Sequence, residues 1–328
     1  MPLKLVSIGG GTGLSTLLEG LRPLVNGEPP AIELTAIVTV TDDGHSSGRL
    51  RREFAIPPPG DLRNCLAALA PDQEGLARLF RHRFPGSGPL GGHSLGNLLL
   101  LALFQMEGDL LGAVESARSI LGIRARVLPS TLDPVDLVAR VGGELVQGQV
   151  AIKSQVGPIA DLQLAPADRQ ALPAATSAIL GADLITLGPG SLFTSVIANL
   201  VVPGIVAALA ATRARKVFIC NAMTELDETD GFSAVDHLRV LLDYAPGVTI
   251  DHALFNSTPI SPEMRERYAV EGAVALAPPG PTPSELAGVD FIALPLASEF
   301  RFVRHDPVRL CRAVLELAEV SHSSIDTV

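Results

Sequence analysis

Lys4-Leu5-Val6-Ser7-Ile8-Gly9-Gly10-Gly11-Thr12-Gly13-Leu14-Ser15-Thr16 is the stretch whose reading decides the fold. An apolar run (Leu3, Leu5, Val6, Ile8) meets five small residues, and Leu14, Leu17, Leu18 and Leu21 then recur at the i, i+3, i+4, i+7 spacing of a buried helix face. That pattern is strand, tight turn, helix. Four glycines in the turn Gly9-Gly10-Gly11-Thr12-Gly13 permit positive φ and let a ligand lie on the backbone. The helix start adds unpaired N–H groups and about half a positive charge, a combination that binds anions, most often phosphate. A plain strand-to-helix turn is the alternative, and the succession of glycines weighs against it.

Spacing narrows the kind of phosphate site. A dinucleotide fingerprint needs a third small residue three positions after Gly13, where Thr16 stands. A P-loop needs Lys then Ser or Thr after its last glycine, where Leu14-Ser15 stands. What remains is a glycine cradle for a nucleotide or sugar phosphate, its charge balanced from elsewhere in the chain.

The 328 residues are 47% hydrophobic, enough for a sizeable globular core, and the net charge of −10 argues against a nucleic-acid partner. Cys65, Cys220 and Cys311 are odd in number and widely spaced, which indicates neither disulfides nor a zinc site. The longest apolar run, 98–104, is too short for a membrane span, and the N-terminus lacks a signal-peptide layout. A cytoplasmic protein is expected.

Further along, 32–40 reads as a buried strand, Asp61 as the N-cap of a helix through Leu62, Leu66 and Leu69, and 73–82 as another helix. His93 and Ser94 open an almost wholly apolar helix, expected to be buried, and Asp109 caps the next one. From 124 to about 165 the period turns to alternation (Val135, Leu137, Ala139, Val141, then Val150, Ile152, Ser154), read as a small antiparallel β insertion. Strands at 182–187, 216–220 and 250–255 resume the α/β rhythm, and Asp306-Pro307 starts a last helix through Leu310, Val314 and Leu317. The tail after Ser321 is expected to be disordered. The expectation is one α/β domain over 1–328: a doubly wound, mainly parallel, Rossmann-like sheet with the β insertion.

GGGTGLS (9–15), TDDGHSSGRLR (41–51), PPGDLRNCLAAL (58–69), GHSLGNLLL (92–100), GPGSLFTS (188–195) and RHDP (304–307), in this order, resemble the YvcK-like gluconeogenesis factors. These share a superfamily with the CofD-type 2-phospho-L-lactate transferases. The chain departs from the family pattern at His45, where a further glycine is usual, at Ala198, where proline is usual, and in MTELDETDG (223–231). The resemblance implies a binder of UDP-sugar, UDP-N-acetylglucosamine above all, that supports cell shape and growth on gluconeogenic carbon. The transferase branch implies instead a Mg²⁺-dependent transfer from a guanine dinucleotide to a deazaflavin.

The residues suit either branch. Asp42, Asp43 and Asp61 offer the hard oxygen ligands that Mg²⁺ on a diphosphate requires, although Asp61 could simply cap its helix and Asp42 shape a turn. Gly10, Gly11, Thr12 and Gly13 form the cradle, and Gly188, Gly190 and Ser191 repeat its logic for a second phosphate or the sugar. Arg49 and Arg63 could clamp phosphate oxygens, whereas Arg51 and Arg52 read as a solvated face. His93 and Asn97 lie at a helix start, Asn199 and Asn221 carry amides able to read a base or a hydroxyl, and Arg304 precedes the last helix. No catalytic residue is assigned, and a homo-oligomer stays open.

Overall fold

The computed structural model describes residues 2–319, so the tail after Ser321 lies outside the described residues. The first apolar run is strand β1 (Leu3–Gly9), and the glycines turn it into helix α1 (Gly11–Asn26). The helix begins inside the glycine run, earlier than the sequence pattern indicated, with Gly10 as its N-cap. Leu14, Leu17, Leu18 and Leu21 are fully buried, and each stabilises the fold by roughly 1.5–3 kcal/mol through its removal from water. Strand β2 (Ile32–Val38) lies parallel to β1, and β3 (Arg126–Pro129) continues the sheet on its far side.

Between β2 and β3 run α2 (His45–Phe54), α3 (Gly60–Leu69), α4 (Leu76–Arg81), α5 (Leu95–Glu107) and α6 (Leu110–Ile120). Asp109 caps α6 as expected, accepting from the Gly112 N–H at 2.8 Å. Three expectations need correction. Pro59, not Asp61, is the N-cap of α3, and Asp61 sits in its first turn. The helix expected over 73–82 is shorter, because Asp72 accepts from Gly75 and Leu76 and holds the chain in a turn until Leu76. In α5 only one side is buried, and Leu99 and Met106 are exposed.

The insertion is smaller than 124–165, because β3 belongs to the main sheet. Its three strands β4 (Asp136–Val141), β5 (Glu144–Gln147) and β6 (Ile159–Ala165) are antiparallel, in the order β5-β4-β6. Val150, Ile152 and Ser154 are helical, within Gln149–Ser154, although their alternation mimicked a strand. Arg51 is no solvated residue: it forms an ion pair with Asp136 at 2.6 Å and so ties α2 to the insertion.

Strands β7 (Leu184–Leu187), β8 (Arg215–Ile219), β9 (His252–Asn256) and β10 (Asp290–Leu294) complete a seven-stranded parallel sheet, ordered β10-β9-β8-β7-β1-β2-β3. The order reverses between β1 and β7, so the crevice beyond their carboxyl ends is where such a sheet takes its ligands. A hairpin of β11 (Ala297–Glu299) and β12 (Val303–His305) then leads into helix Pro307–Glu319. Asp306 caps that helix, accepting from the Val308 and Arg309 amides. Among the described residues no single helix is long and apolar enough to cross a membrane.

Candidate functional site

Three of the four glycines of the first turn are required by their surroundings. Gly11 has φ +60, which favours glycine, and a Cβ there would make only ordinary contact with Ser195 Oγ at 3.6 Å. A Cβ on Gly10 would lie 2.7 Å from Asp61 Oδ2, and one on Gly13 would lie 2.6 Å from the Gly190 backbone. The first intrahelical bond runs from Leu14 to the Gly10 carbonyl at 3.2 Å, so the Gly11, Thr12 and Gly13 amides form the positive end of α1. Thr12 is exposed there.

The second turn, Gly188 to Ser191, leads into a π-helical stretch, Leu192–Ile197, and its polar groups are already engaged. The Gly190 N–H donates to Asn221 Oδ1 at 3.2 Å, and Ser191 Oγ donates to Glu225 Oε2 at 2.6 Å. Lys153, from the insertion, reaches Ser191 Oγ, Glu225 and Glu228 at 3.1, 3.1 and 3.0 Å. Burial opposes a charge on Lys153, but Glu228 and Glu225 hold its ammonium above the ordinary pKa. Glu228 in turn accepts from the Phe193 and Thr194 amides at 2.8 and 3.1 Å. Asn221 faces the crevice, whereas Asn199 is buried and donates to the Gly9 and Ser195 carbonyls, which ties the first turn to the π-helical stretch.

Behind the first turn the acidic residues separate. Asp61 is buried beside Asp42, and burial together with that like charge lifts its carboxyl to about 7, against a backbone hydrogen bond from Gly11. Asp42 also accepts from the Gly44 N–H at 3.0 Å. Asp43 points elsewhere, accepting from Val150 at 2.9 Å at the start of the insertion helix. The expected trio of carboxylates is therefore a pair, and among the described residues no group of three His, Cys, Asp or Glu is placed to hold a metal.

Arg63, Asn97, Ser46 and His93 form a buried polar chain with links of 2.9, 3.0 and 2.9 Å. Burial and the cations Arg83 and Arg81 bring the Arg63 guanidinium down to about 10, partly offset by Asp61 and Asp42. Burial lowers the pKa of His93 as well, with Arg49 acting in the same sense. Arg49 is engaged within the chain: its two terminal nitrogens donate to the Gly91 and Pro89 carbonyls at 2.7 and 2.9 Å and hold the 85–92 loop.

The crevice between the turns is a cleft of about 290 Å³. Gly10 to Gly13 line one wall, with Ser191, Asn221 and Glu225 alongside. The facing residues Tyr268, Phe302, Arg304 and His305 come from the helix after β9 and from the hairpin, and of these only Arg304 was singled out in the sequence. Arg304 and Arg267 each stack on the Phe302 ring, at 5.2 and 5.4 Å, and the Tyr268 hydroxyl accepts from the Val303 N–H. The signal that could have found this wall is scarcity: in a chain without Trp and with two Tyr, RERY (265–268) and FRFVR (300–304) set arginine beside aromatics.

Known proteins share this arrangement at the level of the whole chain. The family model for 2-phospho-L-lactate transferase CofD matches residues 5–293. A gluconeogenesis factor of Halalkalibacterium halodurans is 44% identical over 271 residues, covering 82% of each chain, and that of Bacillus subtilis is 43% identical, covering 82% of this chain and 84% of the relative. A crystal structure of a Bacillus halodurans protein superposes with a TM-score of 0.89 at 40% identity, over 96% of this chain and 100% of that one. The chain belongs to the CofD family and, within it, to the gluconeogenesis factors.

Proposed function

We propose that the chain is a nucleotide-sugar-binding factor of gluconeogenic growth, with UDP-N-acetylglucosamine as its ligand and cell-shape maintenance as its role. One observation carries the binding reading: the positive end of α1 faces Arg304, Phe302 and Tyr268 across a single cleft. Such a cleft offers an anion seat at one wall and flat, cation-bearing surfaces at the other, and its volume of about 290 Å³ lies at the small end of ligand pockets. The gluconeogenic role rests on the relatives' names, and the shape role on family resemblance. Titration calorimetry with UDP-N-acetylglucosamine, GDP and NAD tests the ligand. Saturable binding of the uridine nucleotide alone is expected, and its absence would remove the reading.

The Asp42–Asp61 pair favours a second reading, a Mg²⁺-dependent transferase of the CofD type. Two carboxylates close enough to raise one of them to about 7 fit a divalent cation, which would relieve their repulsion and supply charge neutralisation at a diphosphate. Asp43 does not join them. Release of guanosine monophosphate from a lactyl-diphosphoguanosine donor, with a deazaflavin acceptor and Mg²⁺ present, would favour this reading over the first.

A further inference from the structure

We propose that Asn221 and Glu225 form a fork that reads two neighbouring hydroxyls on a sugar of the bound ligand, one hydroxyl donating to the Glu225 carboxylate and its neighbour accepting from the Asn221 amide. The assignment rests on the nucleotide-sugar reading and names the part of the ligand that this wall selects.

Both residues line the cleft and neither is buried; the Glu225 side chain is one-third exposed. Their neighbours fix how they point. The Gly190 N–H can only donate, so Asn221 turns Oδ1 towards it, at 3.2 Å. The Glu225 carboxylate, paired with Lys153, can only accept, so Asn221 turns Nδ2 towards Oε1, also at 3.2 Å. One N–H of the Asn221 amide is thereby used and the other is left over.

The carboxylate also has capacity to spare. Among the described residues Oε2 accepts from Ser191 Oγ and Lys153 Nζ, at 2.6 and 3.1 Å, whereas Oε1 accepts from Asn221 alone. The wall therefore offers a donor and an acceptor on atoms 3.2 Å apart, close to the spacing of two neighbouring hydroxyl oxygens on a sugar ring. A phosphate carries acceptors only and would meet Glu225 as a like charge. An uncharged group that both donates and accepts suits the fork, and a vicinal diol is such a group. Lys153 and Ser191 already hold Glu225, and Gly190 holds Asn221, so the ligand has no loose side chain to order here.

The test titrates the full chain by calorimetry with UDP-N-acetylglucosamine, with an analogue lacking both ribose hydroxyls, and with an analogue lacking the 3- and 4-hydroxyls of the hexose. Glu225→Ala, in which Lys153 keeps Glu228 as a partner, should bind UDP-N-acetylglucosamine about tenfold more weakly, the worth of one hydrogen bond to a charged group. One analogue should bind wild type more weakly by a similar factor yet lose nothing further in Glu225→Ala. The ribose analogue would assign the diol to the nucleoside, the hexose analogue to the sugar that it carries. Wild-type affinity in Glu225→Ala overturns the assignment, and so does a loss by the same factor with all three ligands, the mark of a merely structural role. Two analogues that both match UDP-N-acetylglucosamine in wild type overturn it as well. Should Glu225→Ala fail to fold, Asn221→Ala decides on the same criterion. Absence of any uridine-nucleotide binding by wild type removes the nucleotide-sugar reading, and this assignment with it.

Discussion

The turns at Gly9–Gly13 and Gly188–Ser191 look alike in sequence, each a glycine-rich exit from a buried strand, yet they are wired in opposite ways. At the first, the amides opening α1 precede the first intrahelical bond and Thr12 is exposed above them. At the second, Asn221, Glu225, Lys153 and Glu228 engage or surround the polar groups. A glycine-bearing helix start is thus a permissive feature, and whether it is an anion site depends on what the rest of the chain brings to it. The first turn leaves its helix start open to the crevice; the second is a braced wall that shapes the space beside it.

The sharpest way to break this comparison is Thr12→Asp. A carboxylate at the start of α1 is compatible with the helix dipole, so the melting temperature should hold. A fixed charge ~4 Å from a bound phosphate repels it by about 4 kcal/mol at an effective dielectric near 20, roughly a thousandfold in affinity. Calorimetry showing wild-type affinity would mean that the anion sits elsewhere.

Asp61 tests the ground behind that turn. Its folded pKa of about 7 lies above the ordinary 3.8, so the folded state holds the proton more tightly, and the associated stability is present below about pH 4 and lost as the pH rises to 7. About three units correspond to a loss on the order of 4 kcal/mol at most. Thermal unfolding of wild type should therefore shift to lower temperature between pH 5 and 8, while Asp61→Asn stays nearly flat and is the more stable protein at pH 8. Should Mg²⁺ occupy the carboxylate pair, it will raise the wild-type melting temperature at pH 8 and leave that of Asp61→Asn unchanged.

For the second turn, Lys153→Met should cost about 2 kcal/mol in denaturant unfolding, less than a fully buried pair would, because the lysine is one-third exposed. The loss arises because Glu228, whose side chain is fully buried and whose pKa burial already raises, loses the cation that favours its charged form. If Glu225→Gln, which alters the same wall, also abolished ligand binding, the second turn would be a binding element in its own right. The smallest effect belongs to Arg51→Ala, which removes the tether from α2 to the insertion: about 0.5 kcal/mol, as for an ion pair that water still reaches.

How far the sequence foretold this depends on the range over which each signal acts. The strand, turn and helix at the start, the parallel strands and the caps Asp109 and Asp306 rest on local periodicity and local hydrogen bonding, and all were legible. Val150 to Ser154 were misread because a six-residue segment is too short to separate a helical from a strand period. The partners of Arg49 are backbone carbonyls of a loop forty residues away, which no pattern of side chains announces. Asp43 was grouped with Asp42 on adjacency alone, although neighbours beyond a strand end can face different ways. Lys153, one of only three lysines, reaches the second turn through the tertiary packing of the insertion, while Tyr268 reaches the cleft on the helix Pro262–Val270 and Phe302 on a hairpin that the sequence pattern does not announce.

Gly13 and Gly190 touch backbone to backbone, with no side chain between the two turns. The spacing of the crevice is therefore set by main-chain thickness, a dimension that substitution at other positions leaves untouched. The facing wall, built from Tyr268, Phe302 and Arg304, can vary residue by residue without moving the two turns. Descent or engineering could thus reshape that wall by rewriting the hairpin, whereas any side chain larger than hydrogen at Gly13 would pry open the frame that the two turns share.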